Sequence, residues 1–170
     1  VEVWSKILKN VKNSKLILKS SRTINIDKLK ELFKKNDVLE SVSFLERNLS
    51  FEEHLRLYQK IDIGLDTFPY NGVTTSFEAI WMNVPILTMK GFNFNSRCGE
   101  SINKNIGINY LIAKDEREYI DKAIELSKDV EKLTRIRNKI FNEVAPSSLF
   151  DKKKFSLEFF KSLETAYNQL

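Results

Sequence analysis

Thr74, Thr75 and Ser76 stand where a loop turns into a helix, behind the string Asp66-Thr67-Phe68-Pro69-Tyr70-Asn71-Gly72-Val73. Hydroxyls and unpaired main-chain amides at a helix start, backed by the helix dipole, suit an anion such as a diphosphate. Asn71-Gly72 permits a close backbone approach, and Glu78, one turn further in, is placed to reach a ribose hydroxyl. The same residues have a plainer reading. Thr75 and Glu78 have the spacing of a capping box, Asn71-Gly72 can be an ordinary turn, and the string is neither a Walker loop nor a glycine-triplet fingerprint. His54, the one histidine, lies a turn into its own helix, where a neutral imidazole would stack on a base or bond a phosphate, or simply face solvent. Arg97, near another helix start, would face the same cleft or make a surface ion pair. Lys152-Lys153-Lys154 reads as a solvated stretch, Cys98 as a small core residue, and Trp4 and Trp81 as packing residues.

These residues need a frame. Trp4, Ile7, Leu8 and Val11 have the one-sided spacing of a helix, Leu16-Ile17-Leu18 that of a short buried strand. Polar Ser20-Ser21-Arg22 follows, then a second helical pattern at Ile26, Leu29, Leu32 and Phe33, and a strand at Val42 and Phe44. Ser50 and Glu53 predict a capping box and a helix from about Phe51 to Lys60, with Leu55 and Tyr58 inward. Ile61, Ile63 and Leu65 alternate as a strand ending at Asp66. The Thr75 helix, a strand over Val84 to Met89, a helix from Asn95 or Ser96 towards Asn105, and a last strand from Tyr110 to Ala113 follow. Short strands separated by helices predict a parallel sheet covered on both faces, a Rossmann-like α/β fold, in which ligands bind beyond the carboxyl ends of the strands. After Ala113 the pattern is helical, with helices marked by Tyr119 to Leu126, Val130 to Ile140 and Phe155 to Ala166, the last two separated at Ala145-Pro146.

The 170 residues are 42% hydrophobic and 30% charged, a composition that supplies one folded domain with a sizeable core. One cysteine and one histidine exclude a disulfide framework within the chain and multi-cysteine or histidine-based metal sites. Twenty-eight basic residues against 23 acidic ones leave a net charge of only +5 with the signs interspersed, so a nucleic-acid partner is not expected. No apolar run approaches the ~18 residues that cross a bilayer. No membrane association and a reducing cytoplasm are the expectations.

Taken together, Ser50-Phe51-Glu52-Glu53-His54-Leu55, the run from Asp62 through Asp66-Thr67-Phe68-Pro69-Tyr70-Asn71-Gly72 and Thr74-Thr75 to Met82, and Val84-Pro85-Ile86-Leu87-Thr88-Met89 resemble the O-linked N-acetylglucosamine transferase family, particularly its bacterial SPINDLY-like branch. The resemblance runs over nearly the whole chain, from Trp4 to Ser148-Leu149-Phe150. It implies the second lobe of a two-lobed GT-B glycosyltransferase, often preceded by tetratricopeptide repeats, that holds the uridine diphosphate of UDP-N-acetylglucosamine. By resemblance Thr74 and Thr75 bond the diphosphate, Glu78 the ribose, His54 lies beside the nucleotide, Asn71 and Gly72 belong to the same loop, and Leu49 falls where a backbone group meets the uracil. The donor sugar would pass to a protein serine or threonine by direct displacement, with no cofactor or metal required.

Three positions depart from the family: Val73 replaces a histidine of the animal enzymes, Phe51 a ribose-contacting lysine, and Lys90 a proline. The family also carries a first strand and a diphosphate-contacting lysine ahead of the Trp4 helix. Residues 1–170 are therefore expected to be one lobe without internal boundary, with the helices over 115–170 packed on it. It would lack its first strand and the catalytic residues, depend on a first lobe in cis that meets the protein acceptor, and be inactive alone. The alternative is a non-catalytic nucleotide-binding or interaction module, with self-association through the exposed sheet edge.

Overall fold

The computed structural model describes residues 1–19, 25–45 and 49–169; the polar segment Ser20-Ser21-Arg22 lies outside them. Helix α1 (Glu2–Asn10) leads into β1 (Leu16–Lys19), α2 (Ile26–Lys35) and β2 (Val42–Leu45). Helix α3 (Phe51–Leu57) tightens into a 3-10 turn through Lys60, and β3 (Gly64–Leu65), α4 (Thr74–Trp81) and β4 (Ile86–Met89) follow. Then come α5 (Cys98–Asn105), β5 (Ile112–Ala113), α6 (Glu116–Lys128), α7 (Val130–Glu143) and α8 (Lys152–Tyr167).

Every strand pairing is parallel, as the alternation of strands and helices requires. Leu16 lies opposite Val42 in one two-stranded sheet, and the second sheet runs β3-β4-β5, with Leu65 opposite Leu87 and Thr88 opposite Ile112. Strand β4 is central, and Ile86, Leu87 and Thr88 are all buried. One apolar cluster joins Ala79 and Ile80 of α4 to Ile102 of α5 and Ile140 of α7; another joins Val3 and Ile7 of α1 to Leu87 and to Tyr119 and Ala123 of α6. Each fully buried aliphatic side chain contributes about 1.5–3 kcal/mol. Side-chain caps at Asn25, Asp115, Asp129 and Asp151 accept the amides of Lys28, Glu118, Lys132 and Lys154, which sets where α2, α6, α7 and α8 begin.

Several details depart from the sequence expectation. The strand read from Ile61 narrows to Gly64–Leu65, because the Ile61 amide turns back to the Tyr58 carbonyl and the Arg137 guanidinium takes the Ile61 and Asp62 carbonyls; the ladder opens only where the Gly64 amide meets Pro85. The helix expected from Asn95 or Ser96 begins at Cys98, since Asn93 and Ser96 cap each other around a 3-10 turn. Cys98 is half-buried rather than core. Trp81 is more than half exposed, with Phe150 tilted against it at 5.0 Å between ring centroids. Helix α8 buries none of its side chains, so Phe155, Phe159 and Leu163 face outward instead of packing on the lobe.

Among the described residues the two sheets share no strand ladder. A groove of about 880 Å³ lies between them, lined by Trp4 and Ile7 of α1, Leu16 and Leu18 of β1, and Ile63 and Leu65 beside and within β3. No described helix is long and apolar enough to cross a membrane.

Candidate functional site

The capping box at Ser50 forms as its spacing predicts. The Ser50 hydroxyl accepts the Glu53 amide at 3.2 Å while the Glu53 carboxylate accepts the Ser50 amide at 2.8 Å. This fixes the first turn of α3 and with it His54. Lys19, the last residue of β1, donates to His54 Nδ1 at 3.1 Å. An ammonium can only donate, so the neutral imidazole carries its proton on Nε2, which points at Glu78 Oε2 at 2.9 Å. The Tyr58 hydroxyl reaches the same Oε2 at 3.2 Å and the Thr75 carbonyl at 3.3 Å. Burial, and then the Glu78 carboxylate, push the Tyr58 phenol up, which keeps it a donor. Glu78 thus presents one oxygen to two protein donors, leaving Oε1 without a hydrogen-bond partner among the described residues.

The expected cap by Thr75 and Glu78 does not form. Helix α4 begins two residues earlier, at Thr74, with Val73 in the capping position and no side-chain cap. Thr75 is therefore already inside the first turn, and Glu78 reaches across to α3 instead of back along its own helix. The first helical bond runs from the Phe77 amide to the Val73 carbonyl, so the amides of Thr74, Thr75 and Ser76 precede it and have no intrahelical acceptor. Thr74 and Thr75 are exposed. Ser76 is not a third exposed hydroxyl: it is buried and donates to the Gly72 carbonyl at 2.8 Å.

The loop in front of α4 is held from below. Asp66, buried just past β3, accepts the Gly72 amide on Oδ1 at 2.7 Å and the Thr88 hydroxyl on Oδ2 at 2.7 Å. Burial pushes its carboxyl up to about 6, against the hydrogen bonds from Thr88, Gly72 and Thr67 that favour the charged form. The Tyr119 phenol of α6 donates to the Asp66 carbonyl at 2.9 Å. Asn71 is fully buried; its side-chain amide donates to the Thr67 carbonyl at 2.8 Å and accepts the Gly99 amide at 3.3 Å.

Of the residues singled out from sequence, His54, Thr75 and Glu78 are thus brought together by Tyr58, and Thr74 adjoins them at the head of α4. Leu49 lies half-buried in the irregular segment before Ser50. Asn71 and Gly72 sit in the same loop, but their polar groups turn inward to Thr67, Gly99 and Asp66. Arg97 pairs with the buried Glu100 at 2.8 Å. From sequence, Lys19, Tyr58, Asp66 and Thr88 carry no assigned role at this site. Thr88, a polar residue inside the apolar run Val84 to Met89, was the available signal for the Asp66 tie; nothing local marks Lys19, whose role depends on β1 ending opposite α3.

The model of Glycosyl transferase family 41 matches residues 1–159. A tomato (Solanum lycopersicum) protein named "Probable UDP-N-acetylglucosamine–peptide N-acetylglucosaminyltransferase SPINDLY" is 33% identical over 177 residues, covering all of this chain and 18% of its own length. The Caenorhabditis elegans UDP-N-acetylglucosamine–peptide N-acetylglucosaminyltransferase is 30% identical over 91% of this chain and 14% of its own. A solved mutant of the Thermobaculum terrenum O-GlcNAc transferase superposes with a TM-score of 0.87 at 31% identity, covering 99% of this chain and 32% of that one. The chain therefore spans about a fifth of the tomato relative and a third of the solved neighbour.

Proposed function

The chain belongs to glycosyl transferase family 41, and on that footing we propose that it is the nucleotide-sugar-binding lobe of a longer protein O-linked N-acetylglucosamine transferase. The lobe holds the UDP of the donor, and the rest of the enzyme supplies the acceptor site and the acid-base groups. The observation that carries the reading is the head of α4: three amides without helical acceptors and two exposed threonines, beyond the carboxyl end of β3, beside a carboxylate with one oxygen unpartnered among the described residues. The diphosphate sits on the amides and hydroxyls of Thr74 and Thr75, the Glu78 Oε1 accepts from ribose, and His54 and Tyr58 hold Glu78 in place. In transfer, the same amides take up the negative charge that gathers on the departing diphosphate, so they serve bound donor and transition state alike.

The test is Thr74→Ala with Thr75→Ala, titrated with UDP by calorimetry. Each lost hydrogen bond to a charged group is worth ~1.5–3 kcal/mol, so affinity falls at least ~10-fold. Unchanged affinity in a folded double variant overturns the assignment. A second reading, as an interaction module, is favoured by the apolar groove between the two sheets, which offers the edges of β1 and β3 to another strand. It requires concentration-dependent self-association; a monomer throughout a sedimentation series rules it out.

A further inference from the structure

Asp66 is buried beneath the loop in front of α4, and it is the point on which that loop hangs. Its carboxylate reaches forward to the Gly72 amide, two residues before the helix, and sideways to Thr88 in the central strand. Gly72 is packed so closely that a Cβ there would meet Thr75 Oγ1 and Ser76 Oγ. Gly99, at the head of α5, leaves no room for a Cβ because Thr88 Oγ1 and Asp66 Oδ2 fill that space. Asn71 stitches the loop to α5 through the Gly99 amide, and Ser76 closes it from within α4 by donating to the Gly72 carbonyl. Two glycines without side chains therefore let one carboxylate bridge the middle of the sheet, the loop and two helix starts.

We propose that Asp66 is a positioning residue for donor binding: its carboxylate, tied to Thr88 in the sheet and to the Gly72 amide, fixes the first turn of α4 at the height and direction the diphosphate requires. The proposal rests on the donor site assigned above. It makes Asp66 act through the loop and never by touching the donor. A buried negative charge beneath an anion site is by itself unfavourable to the anion, so the two ways Asp66 can act on affinity have opposite signs. Removing the charge while keeping the shape tightens binding if the charge dominates; removing the shape weakens binding if the tie dominates. The ionisable neighbour coupled to Asp66 is the Tyr119 phenol of α6, which its own burial and then Asp66 push up, so it stays neutral.

The probe is UDP-N-acetylglucosamine, whose diphosphate is a diester with no proton to gain between pH 5 and 8. Asp66→Asn retains an oxygen for the Gly72 amide and an amide for the Thr88 hydroxyl, and binds within about twofold of the unmodified chain. Asp66→Ala loses both ties and binds about tenfold more weakly. Where Asp66→Ala does not fold, Thr88→Val, which cuts the tie to the sheet alone, gives a smaller weakening of the same sign. A second readout needs no donor: the Gly72 amide proton resonance moves with pH around a midpoint near 6 and stays fixed in Asp66→Asn. Tighter binding by Asp66→Asn, equal binding by folded Asp66→Ala, or a Gly72 amide that does not titrate overturns the proposal. If the unmodified chain fails to bind the probe but the Gly72 amide titrates as stated, the donor-site assignment falls and the proposal falls with it as a statement about donor binding, the tie to the loop alone surviving.

Discussion

Replacing Asp66 by Asn should change how stability depends on pH, by an amount that follows from burial. An aspartate carboxyl ordinarily titrates at 3.8 and here is pushed up to about 6. At about 1.4 kcal/mol per pKa unit, the folded protein holds the charged form less well than the unfolded chain by about 3 kcal/mol. Because the folded pKa lies above the unfolded one, the folded state binds the proton more tightly. Its contribution is fully present below about pH 4 and is lost as pH rises through about 6. Asn carries no proton to lose. The stability of Asp66→Asn minus that of the unmodified chain therefore rises by about 2–3 kcal/mol between pH 4 and pH 8, nearly all of it below pH 6.5. Any mismatch of the asparagine amide against Thr88 and Gly99 adds a constant that cancels in this change, as do all the other titrating groups the two proteins share. Urea unfolding of both proteins at half-unit intervals supplies the curve. A difference flat to within about 0.5 kcal/mol refutes the buried, charge-strained carboxylate, whatever its absolute value.

Two further outcomes follow from contacts outside that network. Ser50→Ala removes a side-chain cap whose bonds are formed and should cost ~1 kcal/mol, whereas Thr75→Ala, whose hydroxyl caps nothing, should leave stability within ~0.5 kcal/mol; thermal melts of the two variants compare them directly. Burial raises the Glu100 carboxyl, but the hydrogen bonds and charges of Lys104 and Arg97 outweigh it and hold it down to about 2. Its stabilisation is present above about pH 4.5 and lost as pH falls towards 2, so the unmodified chain should lose more stability across that interval than Glu100→Gln, measured by acid titration of the melting temperature.

The order of elements was legible because periodicity and caps are local: the Ser50-Glu53 pattern, the apolar run of β4 and the Pro146 break each depend on a few neighbouring residues. What was not legible depends on partners far along the chain. The strand at Ile61 was shortened by Arg137, 76 residues later, whose guanidinium competes for the carbonyls a ladder would use. Helix α8 has the apolar spacing of a packed helix, and spacing alone cannot say against what it packs. Cys98 and Trp81 were misplaced for the same reason, since apolar character fixes a preference for burial and tertiary packing decides whether it is met.

The capping pattern at Thr75 and Glu78 shows how a local signal yields to a non-local one, and the energies say why. A cap contributes about 1 kcal/mol and demands that Thr75 stay outside the helix. Starting the helix at Thr74 gives up that cap but gains the loop closure beneath it: the Asp66 bond to the Gly72 amide, charge-assisted and worth about 1.5–3 kcal/mol, and the Ser76 bond to the Gly72 carbonyl. Glu78 is then free to accept from His54 and Tyr58, two donors on a different helix. Thr75, released from capping, is left exposed at the head of α4 with the uncapped amides, which is the arrangement an anion site needs. The two sequence readings were thus physical alternatives rather than layers of one answer: a Thr75 engaged as a cap would have its oxygen committed to its own helix. What displaces the cap involves Asp66, eight residues upstream of the helix start, through a bond that no short pattern encodes.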